Sequence, residues 1–156
     1  MDCRRNFMSV NTPRSQGICA EAGTTAALTD FKVEKLTARG NLTVVSIDGL
    51  KPVAESGRMV LVYATDALNS NMVFDDPELR NLRDIGGKGP TLVTVGEFAV
   101  KIRNANAGQL KLYALDVDGT RRCELPLTVE NGEAVIKINT AKIPGGPALF
   151  FELAEK

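Results

Sequence analysis

The chain has 156 residues, and its 19 basic and 19 acidic side chains cancel to a formal net charge of zero. Hydrophobic residues make up 44% of the chain and charged residues 24%, which is typical of one soluble domain that can bury its own core. Histidine and tryptophan are both absent. This excludes Ser–His and Cys–His catalytic pairs, histidine metal sites and indole platforms for sugars. We therefore expect a single domain over residues 1–156 with no catalytic, cofactor-binding or metal-binding residue.

The charge and hydropathy patterns also bear on the partners of the chain. A neutral chain lacks the clustered positive charge that binds a phosphate backbone, so we expect no nucleic acid partner. Arg4-Arg5 and Arg121-Arg122 are interpreted as solvated surface. No apolar run approaches the ~18 residues of a membrane span, and the N-terminus has no apolar signal-peptide segment, so we expect no membrane partner. The location of the protein stays open, because a fragment of a secreted parent would lack the parent's signal peptide.

The first half of the chain has the pattern of short strands separated by turns. Strands are predicted near Phe7–Asn11, near Phe31–Thr37 and at residues 42–47, where Asp48-Gly49 marks a turn. The next run, Met59–Tyr63, is apolar on both faces. This pattern predicts a central strand that is covered on each side.

Two kinds of segment interrupt this pattern. Asp75–Arg80 offers an N-cap carboxylate, a proline at the first helical position and an acid in the first turn. These features predict one or two helical turns inside a long loop over residues 75–90. Residues 1–5 and the small residues of Glu21–Thr29 are the segments that we expect to be flexible.

The second half of the chain shows a clear period of two. Residues 97–103 alternate between apolar and charged side chains, which is typical of a strand with one dry face and one wet face. Residues 123–129 and 133–139 alternate in the same way. Asn131-Gly132 lies between them and favours the positive φ angles of a tight hairpin turn.

A second turn dipeptide, Asp118-Gly119, lies between residues 109–116 and the strand that begins near Thr120. Three consecutive strands are therefore predicted to form a meander. A last strand is predicted at Leu149–Leu153. About ten short strands with almost no helix indicate an all-β fold. We predict an antiparallel β-sandwich of about 8–10 strands with one short helical turn in a loop, and a barrel as second choice.

Carboxylates are numerous enough to raise the question of a glycosidase, which needs two of them about 5–10 Å apart. Most of them lie in turn sequences, where aspartate is favoured because its side chain binds the nearby backbone. We therefore expect no catalytic pair. The aspartates considered are Asp48, Asp66, Asp75, Asp76, Asp116 and Asp118.

Three further motifs resemble ligand or modification sites only in part. Asp116–Gly119 has the opening rhythm of a calcium loop but lacks the later ligands, so a hairpin turn is favoured. Gly86–Gly89 suggests a phosphate cradle, but no Ser or Thr follows Lys88 and Pro90 leads into a strand, so a plain loop is favoured. Asn41–Thr43 matches a glycosylation sequon, which means little without a secretory signal.

The three cysteines, Cys3, Cys19 and Cys123, cannot all pair within one chain. Their spacing fits neither a redox motif nor a zinc knuckle, so free thiols are expected. Cys123 is in phase with Leu125 and Leu127, which favours a small buried hydrophobe over a nucleophile.

Aromatic side chains are the candidates for a contact surface, because sugars stack on exposed rings. Tyr63 and Tyr113 lie in predicted strands, which favours packing within the sheets, although a small lectin-like site stays open. Phe150 and Phe7 are each out of phase with their apolar neighbours, so they would line a docking patch or cover a second sheet face. Tyr63, Tyr113 and Phe150 are therefore the candidate carbohydrate or domain contacts.

Five segments have to be considered together, namely VNTPRSQG (10–17), SIDGLKPVAES (46–56), LVYATDALNSNM (61–72), GPTLV (89–93) and LDVDGTR (115–121). Together they resemble the β-sandwich region that ends certain large bacterial glycoside hydrolases. The resemblance covers nearly the whole chain, from about Ser9 to Leu153. Leu50 is an extra residue in the Asp-Gly turn, and Asn71 stands where the family has a glycine.

The resemblance implies a non-catalytic accessory domain whose partner is the catalytic barrel domain of a parent hydrolase. The chain would pack against that barrel through an apolar face, with the acid and the nucleophile of the enzyme outside this chain. The alternative is a free-standing carbohydrate-binding module with a glycan partner. A third interpretation is an assembly domain that forms oligomers.

Overall fold

The computed structural model describes residues 2–4, 6–77, 81–86 and 89–155, the first three through their backbone alone. Along this part of the chain run β1 (Asp2–Arg4), β2 (Phe7–Asn11), β3 (Ser15–Ala20), β4 (Ala26–Ala27), β5 (Phe31–Leu36), β6 (Gly40–Ser46), β7 (Arg58–Ala64), β8 (Ala67–Asn69), β9 (Val73–Phe74), β10 (Leu82–Asp84), β11 (Thr91–Val93), β12 (Glu97–Arg103), β13 (Leu110–Leu115), β14 (Arg121–Leu125), β15 (Thr128–Glu130), β16 (Glu133–Asn139) and β17 (Phe150–Glu155).

Thirteen of these strands form two antiparallel sheets that pack together as a β-sandwich, and β8 to β11 form two separate ribbons. We call the larger one sheet A, in which eight strands follow the order β1-β2-β3-β6-β7-β17-β13-β14. We call the smaller one sheet B, in which five strands follow the order β15-β16-β12-β5-β4. The predicted all-β sandwich is confirmed. The described chain has more strands than expected, because several are only two or three residues long.

The core lies between the inner faces of the two sheets, and its centre is aromatic. The Tyr63 ring meets the Phe98 ring edge-on at 5.0 Å between centroids, and Phe98 meets Phe151 at 5.5 Å. Tyr63 and Phe151 come from sheet A, whereas Phe98 comes from sheet B, so the chain of rings joins the sheets. Each ring is almost fully buried. Truncating such a ring to alanine costs about 3–5 kcal/mol.

A polar cluster joins the sheets at another point. Gln16 of β3 is fully buried, and its side chain exchanges two hydrogen bonds with Asp30, one to the carboxylate at 2.9 Å and one from the backbone N–H at 2.7 Å. Arg103 at the end of β12 donates to the other carboxylate oxygen of Asp30 at 2.6 Å. A buried amide is tolerated here because both of its ends are paired.

The predicted hairpin turns are confirmed. Asn131 and Gly132 have φ angles of 51° and 79° between β15 and β16. At the other predicted turn, the Gly119 N–H donates to the Asp116 carbonyl, and Asp116 pairs back with Thr120. The Asp48-Gly49 turn opens a longer connection between β6 and β7, which pair as expected.

The predicted three-strand meander is wrong. β13 and β14 pair in sheet A, but the chain then leaves that sheet at Pro126 and continues as β15 in sheet B. Proline cannot donate a ladder hydrogen bond, so the alternating run 123–129 is divided between the two sheets. As a result Cys123 packs against the core, whereas Val129 is exposed.

The predicted helical turn in Asp75–Arg80 falls partly on residues 78–80, which lie outside the described residues. Asp75 to Pro77 form a bend and turn. The described residues contain two short 3-10 turns elsewhere, at Ala107–Gln109 and Thr140–Lys142. Of the segments expected to be flexible, residues 2–4 pair with β2, and Ala26–Ala27 pair with β5.

The loop between β7 and β12 is a β-structured arm, which we call the arm (residues 66–95). It contains two ribbons, β8 paired with β11 and β9 paired with β10. Neither ribbon is paired with a described strand of sheet A or sheet B. Asn71 turns the chain within the arm at a φ of 66°, a left-handed backbone that asparagine tolerates better than most residues other than glycine.

Candidate functional site

The outer faces of the two sheets differ in chemistry. On sheet B the outward side chains are charged and paired across strands: Lys101 lies 3.5 Å from both Glu34 and Glu130. On sheet A the outward positions of β7 and β17 include Val60, Val62 and Phe150, all half-buried. The sequence predicted that β7 would be covered on each side. It is central as expected, but Val60 and Val62 on its outer face are only half-buried, so an apolar surface is partly open there.

A charged cluster lies in the middle of this apolar face. Glu152 of β17 is only 5% exposed, and its two carboxylate oxygens accept hydrogen bonds from Arg58 Nε and Arg121 Nε, each at 2.6 Å. Burial by itself raises the pKa of Glu152, but the hydrogen bonds from Arg121 and Arg58 outweigh burial and lower the pKa below its ordinary value. The carboxylate is therefore ionised at neutral pH.

Arg121 is held from a second side by an aromatic ring. Its guanidinium carbon lies 4.2 Å from the centre of the Tyr113 ring, within cation–π distance. Tyr113 lies directly across from Glu152 in the β13–β17 ladder, which brings ring, carboxylate and guanidinium together. The side chains of Arg58 and Arg121 remain 60% and 46% exposed. Two cations share one anion, so the cluster keeps an excess of one positive charge.

A cleft of about 300 Å³ adjoins this cluster on the outer face of sheet A. Its floor is formed by Val60, Phe150 and Leu115, and its wall by residues 116–119 of the β13–β14 turn. Val60 is the cross-strand partner of Glu152, so the charged cluster lies at the end of the cleft opposite the turn. The cleft itself is lined by apolar residues, the Phe150 ring and the two aspartates of the turn, and the charged cluster lies beside it through Val60.

The three candidate contact residues have different surroundings. Tyr63 has no exposed surface, and its hydroxyl donates to the Ala38 carbonyl at 3.3 Å, so it belongs to the core and not to a contact surface. Tyr113 is half-buried on the outer face, with Arg121 over its ring. Phe150 lies on the same face and lines the cleft. The structure brings Tyr113 and Phe150 to one face, because β13 and β17 are neighbours.

The aspartates considered for catalysis are largely engaged in local structure. Asp48 accepts from Lys51 Nζ at 2.8 Å and from the Gly57 N–H. Asp118 accepts from the Thr120 N–H, which lowers the pKa of Asp118. The remaining engaged aspartates bind arginines or the backbone, namely Asp75 with Arg83, Asp76 with Asn81 and Asp116 with Arg122.

The described residues contain no group of three acidic, cysteine or histidine side chains placed to hold a metal ion. In the suggested calcium loop, Asp118 instead closes the hairpin turn. The suggested phosphate cradle includes Gly87 and Lys88, which lie outside the described residues. Cys19 and Cys123 are free and half-buried, as expected. No helix in the described part of the chain is long and apolar enough to span a membrane.

Sequence reasoning missed the roles of Arg121 and Arg122, and it missed Glu152, the acid that binds Arg121. Arg121 belongs to the Glu152 cluster. Arg122, interpreted as solvated, is instead half-buried and donates to the carbonyls of Gly145 and Gly146. The available signal was Glu152 itself, which is one acid within the apolar run 149–154. A charge in such a run needs a partner.

Comparisons of this chain with protein-family models, with curated proteins and with solved structures give no match. The fold and the site geometry therefore carry the functional argument.

Proposed function

We propose that this chain is a non-catalytic accessory β-sandwich domain of a glycoside hydrolase-like protein, and that it packs against a catalytic barrel domain. The arm is the observation that carries this proposal. Nine large apolar side chains are exposed among the described residues, and five of them lie in the arm. Those five are Val73, Leu82, Ile85, Leu92 and Val95.

The arm has little apolar support of its own. Its ribbons are two or three residues long, and two-stranded ribbons are marginal in water without a packed face. Ile85 is 68% exposed and Leu92 55% exposed. Several exposed apolar side chains within one segment are typical of a surface that another protein covers. Covering it would also stabilise the ribbons, because the apolar area would leave water.

The arrangement of the carboxylates also supports a non-catalytic role. Asp48 and Asp118 serve as turn acceptors, and Glu152 is ionised between two arginines. A glycosidase needs one acid with a raised pKa that can donate a proton. Neither Asp118 nor Glu152 has that property.

The alternative is a free-standing carbohydrate-binding module. It would have to use Phe150 and the cleft, because Tyr63 is buried and the face of Tyr113 carries Arg121. The accessory-domain proposal is favoured because it also accounts for the exposed side chains of the arm.

The test uses the reading frame that surrounds the coding sequence of this chain. We expect it to encode an alternating βα barrel, and we expect that barrel to bind the chain when the two are coexpressed. Ile85→Asp should weaken the complex about tenfold or more, because it places a charge in an apolar contact. Val129→Asp is the matched control, since Val129 is an exposed valine outside the arm. Turnover of glycosides by the isolated chain would contradict the proposal.

A further inference from the structure

We propose that the cleft beside Glu152 binds a polyhydroxylated carboxylate, the chemistry of a uronic acid unit in an acidic glycan. Arg58 and Arg121 would bind its carboxylate, Phe150 and Val60 would pack against its ring, and the turn at residues 116–119 would accept its hydroxyl groups. This inference concerns a ligand of the chain itself. It stands whether or not the arm docks on a barrel.

The first step of the argument is the unused donor capacity of the arginines. Arg58 and Arg121 each bind Glu152 through Nε. In the described part of the chain their terminal Nη groups make no hydrogen bond. Those groups are the donors that bind carboxylates in pairs. Glu152 fixes both guanidiniums in advance, so little side-chain entropy is lost when a ligand binds.

The second step is the charge of the cluster. One carboxylate between two guanidiniums leaves one positive charge in excess. The nearest other cation on β13, Lys111, is already paired with Glu124 at 2.8 Å. A ligand with one negative charge would therefore complete the neutralisation at this end of the cleft, where both arginine side chains are accessible to it.

The third step is the opposite end of the cleft. Asp116 and Asp118 lie there on the β13–β14 turn, and Val117 between them is 90% exposed. Carboxylates accept hydrogen bonds from hydroxyl groups. Asp116 contacts Arg122 and Asp118 accepts from the Thr120 N–H, and each carboxylate can accept further hydrogen bonds. A protein side chain that ended in a carboxylate would satisfy the arginines but would leave these remaining acceptors without a donor. A ligand with an acid at one end and hydroxyls along its ring satisfies both ends.

The fourth step is the floor. Phe150 is half-buried and presents aromatic surface in the cleft beside Val60. Pyranose rings pack their C–H faces on such rings. The volume of about 300 Å³ is at the lower end of small-ligand sites, which suits one or two sugar units.

The test titrates the full chain with trigalacturonate and with its fully methyl-esterified, uncharged counterpart, both followed by NMR at low salt. We expect saturable binding of the acid, with shifts at the amides of Val60, Phe150 and Gly119, and binding of the ester that is weaker by about tenfold or more. Arg121→Gln and Arg58→Gln should weaken binding of the acid by a similar factor. Lys111→Gln, on the same face, should leave it unchanged.

The comparison of the acid with the ester uses the unmodified chain, so the proposal can be tested even if Arg121→Gln fails to fold. Equal binding of acid and ester would overturn it, as would an absence of binding. Binding that persists in folded Arg58→Gln and Arg121→Gln would also overturn it. A further outcome is that the acid does not bind the chain and a coexpressed barrel covers Phe150. In that case the face is a protein interface, so the ligand proposal is wrong and the accessory-domain proposal still stands.

Discussion

Gly17 of β3 lies directly across from Thr43 of β6, and a methyl group added to Gly17 would come within 2.6 Å of the Thr43 Cα. The two strands approach closely at this pair on the outer face of sheet A. The contact involves backbone, so rotation of the threonine side chain alone cannot relieve it.

Gly17→Ala should therefore destabilise the fold by about 1–3 kcal/mol through overpacking. Chemical denaturation of the purified variant measures this loss. Gly108→Ala is the matched control, because a methyl group at Gly108 meets no atom within 4 Å. We expect it to change stability by less than about 0.5 kcal/mol. Similar stability of the two variants would contradict the close approach of β3 and β6.

Gln16→Leu should cost about 2–4 kcal/mol of stability. The substitution keeps the volume but leaves the Asp30 N–H and one Asp30 carboxylate oxygen without their buried partner. The unfolding midpoint in urea measures the effect. Gln109→Leu provides the comparison at an exposed glutamine and should be nearly neutral. A neutral Gln16→Leu would show that the polar cluster does not hold the sheets together.

Glu152→Gln should remove an acid-sensitive part of the stability. The folded-state pKa of Glu152 is lowered, so this group stabilises the fold above the ordinary glutamate pKa of about 4.3, and the contribution is lost as pH falls through the lowered folded pKa. At pH 7 we expect the variant to be less stable by about 1–3 kcal/mol, and the gap should narrow as the pH approaches 2.

Denaturation curves of both proteins across this pH range measure the gap. Glu124→Gln is the control, because Glu124 is half-exposed in a surface pair with Lys111. The stability of Glu124→Gln should differ from that of the natural chain by less than about 0.5 kcal/mol at every pH. If the stability difference between the natural chain and Glu152→Gln does not decrease in acid, Glu152 is not ionised in the folded protein.

Arg122→Lys should loosen the segment before β17. Arg122 donates to the carbonyls of Gly145 and Gly146 through one terminal nitrogen and approaches those of Leu115 and Pro147 with the other. Lysine lacks the planar guanidinium with its several N–H donors, so it cannot bind all of these carbonyls at once.

We expect faster amide exchange at residues 144–149 and a decrease of about 1–2 kcal/mol in the free energy of unfolding. Arg39→Lys, at an arginine that is two-thirds exposed, should change neither quantity. Unchanged exchange in Arg122→Lys would mean that the segment is held by other contacts.

Much of the fold could be predicted because the relevant signals are local. Phe7–Asn11 was predicted as a strand with the same bounds as β2, and Asn131-Gly132 forms the expected turn. The alternation of apolar and polar residues indicates which side chains share a face of a strand, and a glycine or asparagine indicates where φ becomes positive. Both signals depend on a few neighbouring residues.

The candidate site could be predicted only in part. The phase of Phe150 relative to its neighbours predicted that it lines a docking patch or covers a second sheet face, and in the structure it is half-buried on the outer face of sheet A. The role of Arg121 was missed, because its partner Glu152 is 31 residues away along the chain. A pair of this kind exists only after β17 has been placed beside β13.

The sequence by itself determined that this protein is built of short antiparallel strands with glycine-containing turns, because backbone geometry and side-chain alternation act over a few residues. The tertiary structure decided which strands share a sheet, that the chain changes sheets at Pro126, and that Arg58, Arg121 and Glu152 meet. Those outcomes depend on long-range pairing, in which burial of one whole face against another selects among many locally equivalent arrangements.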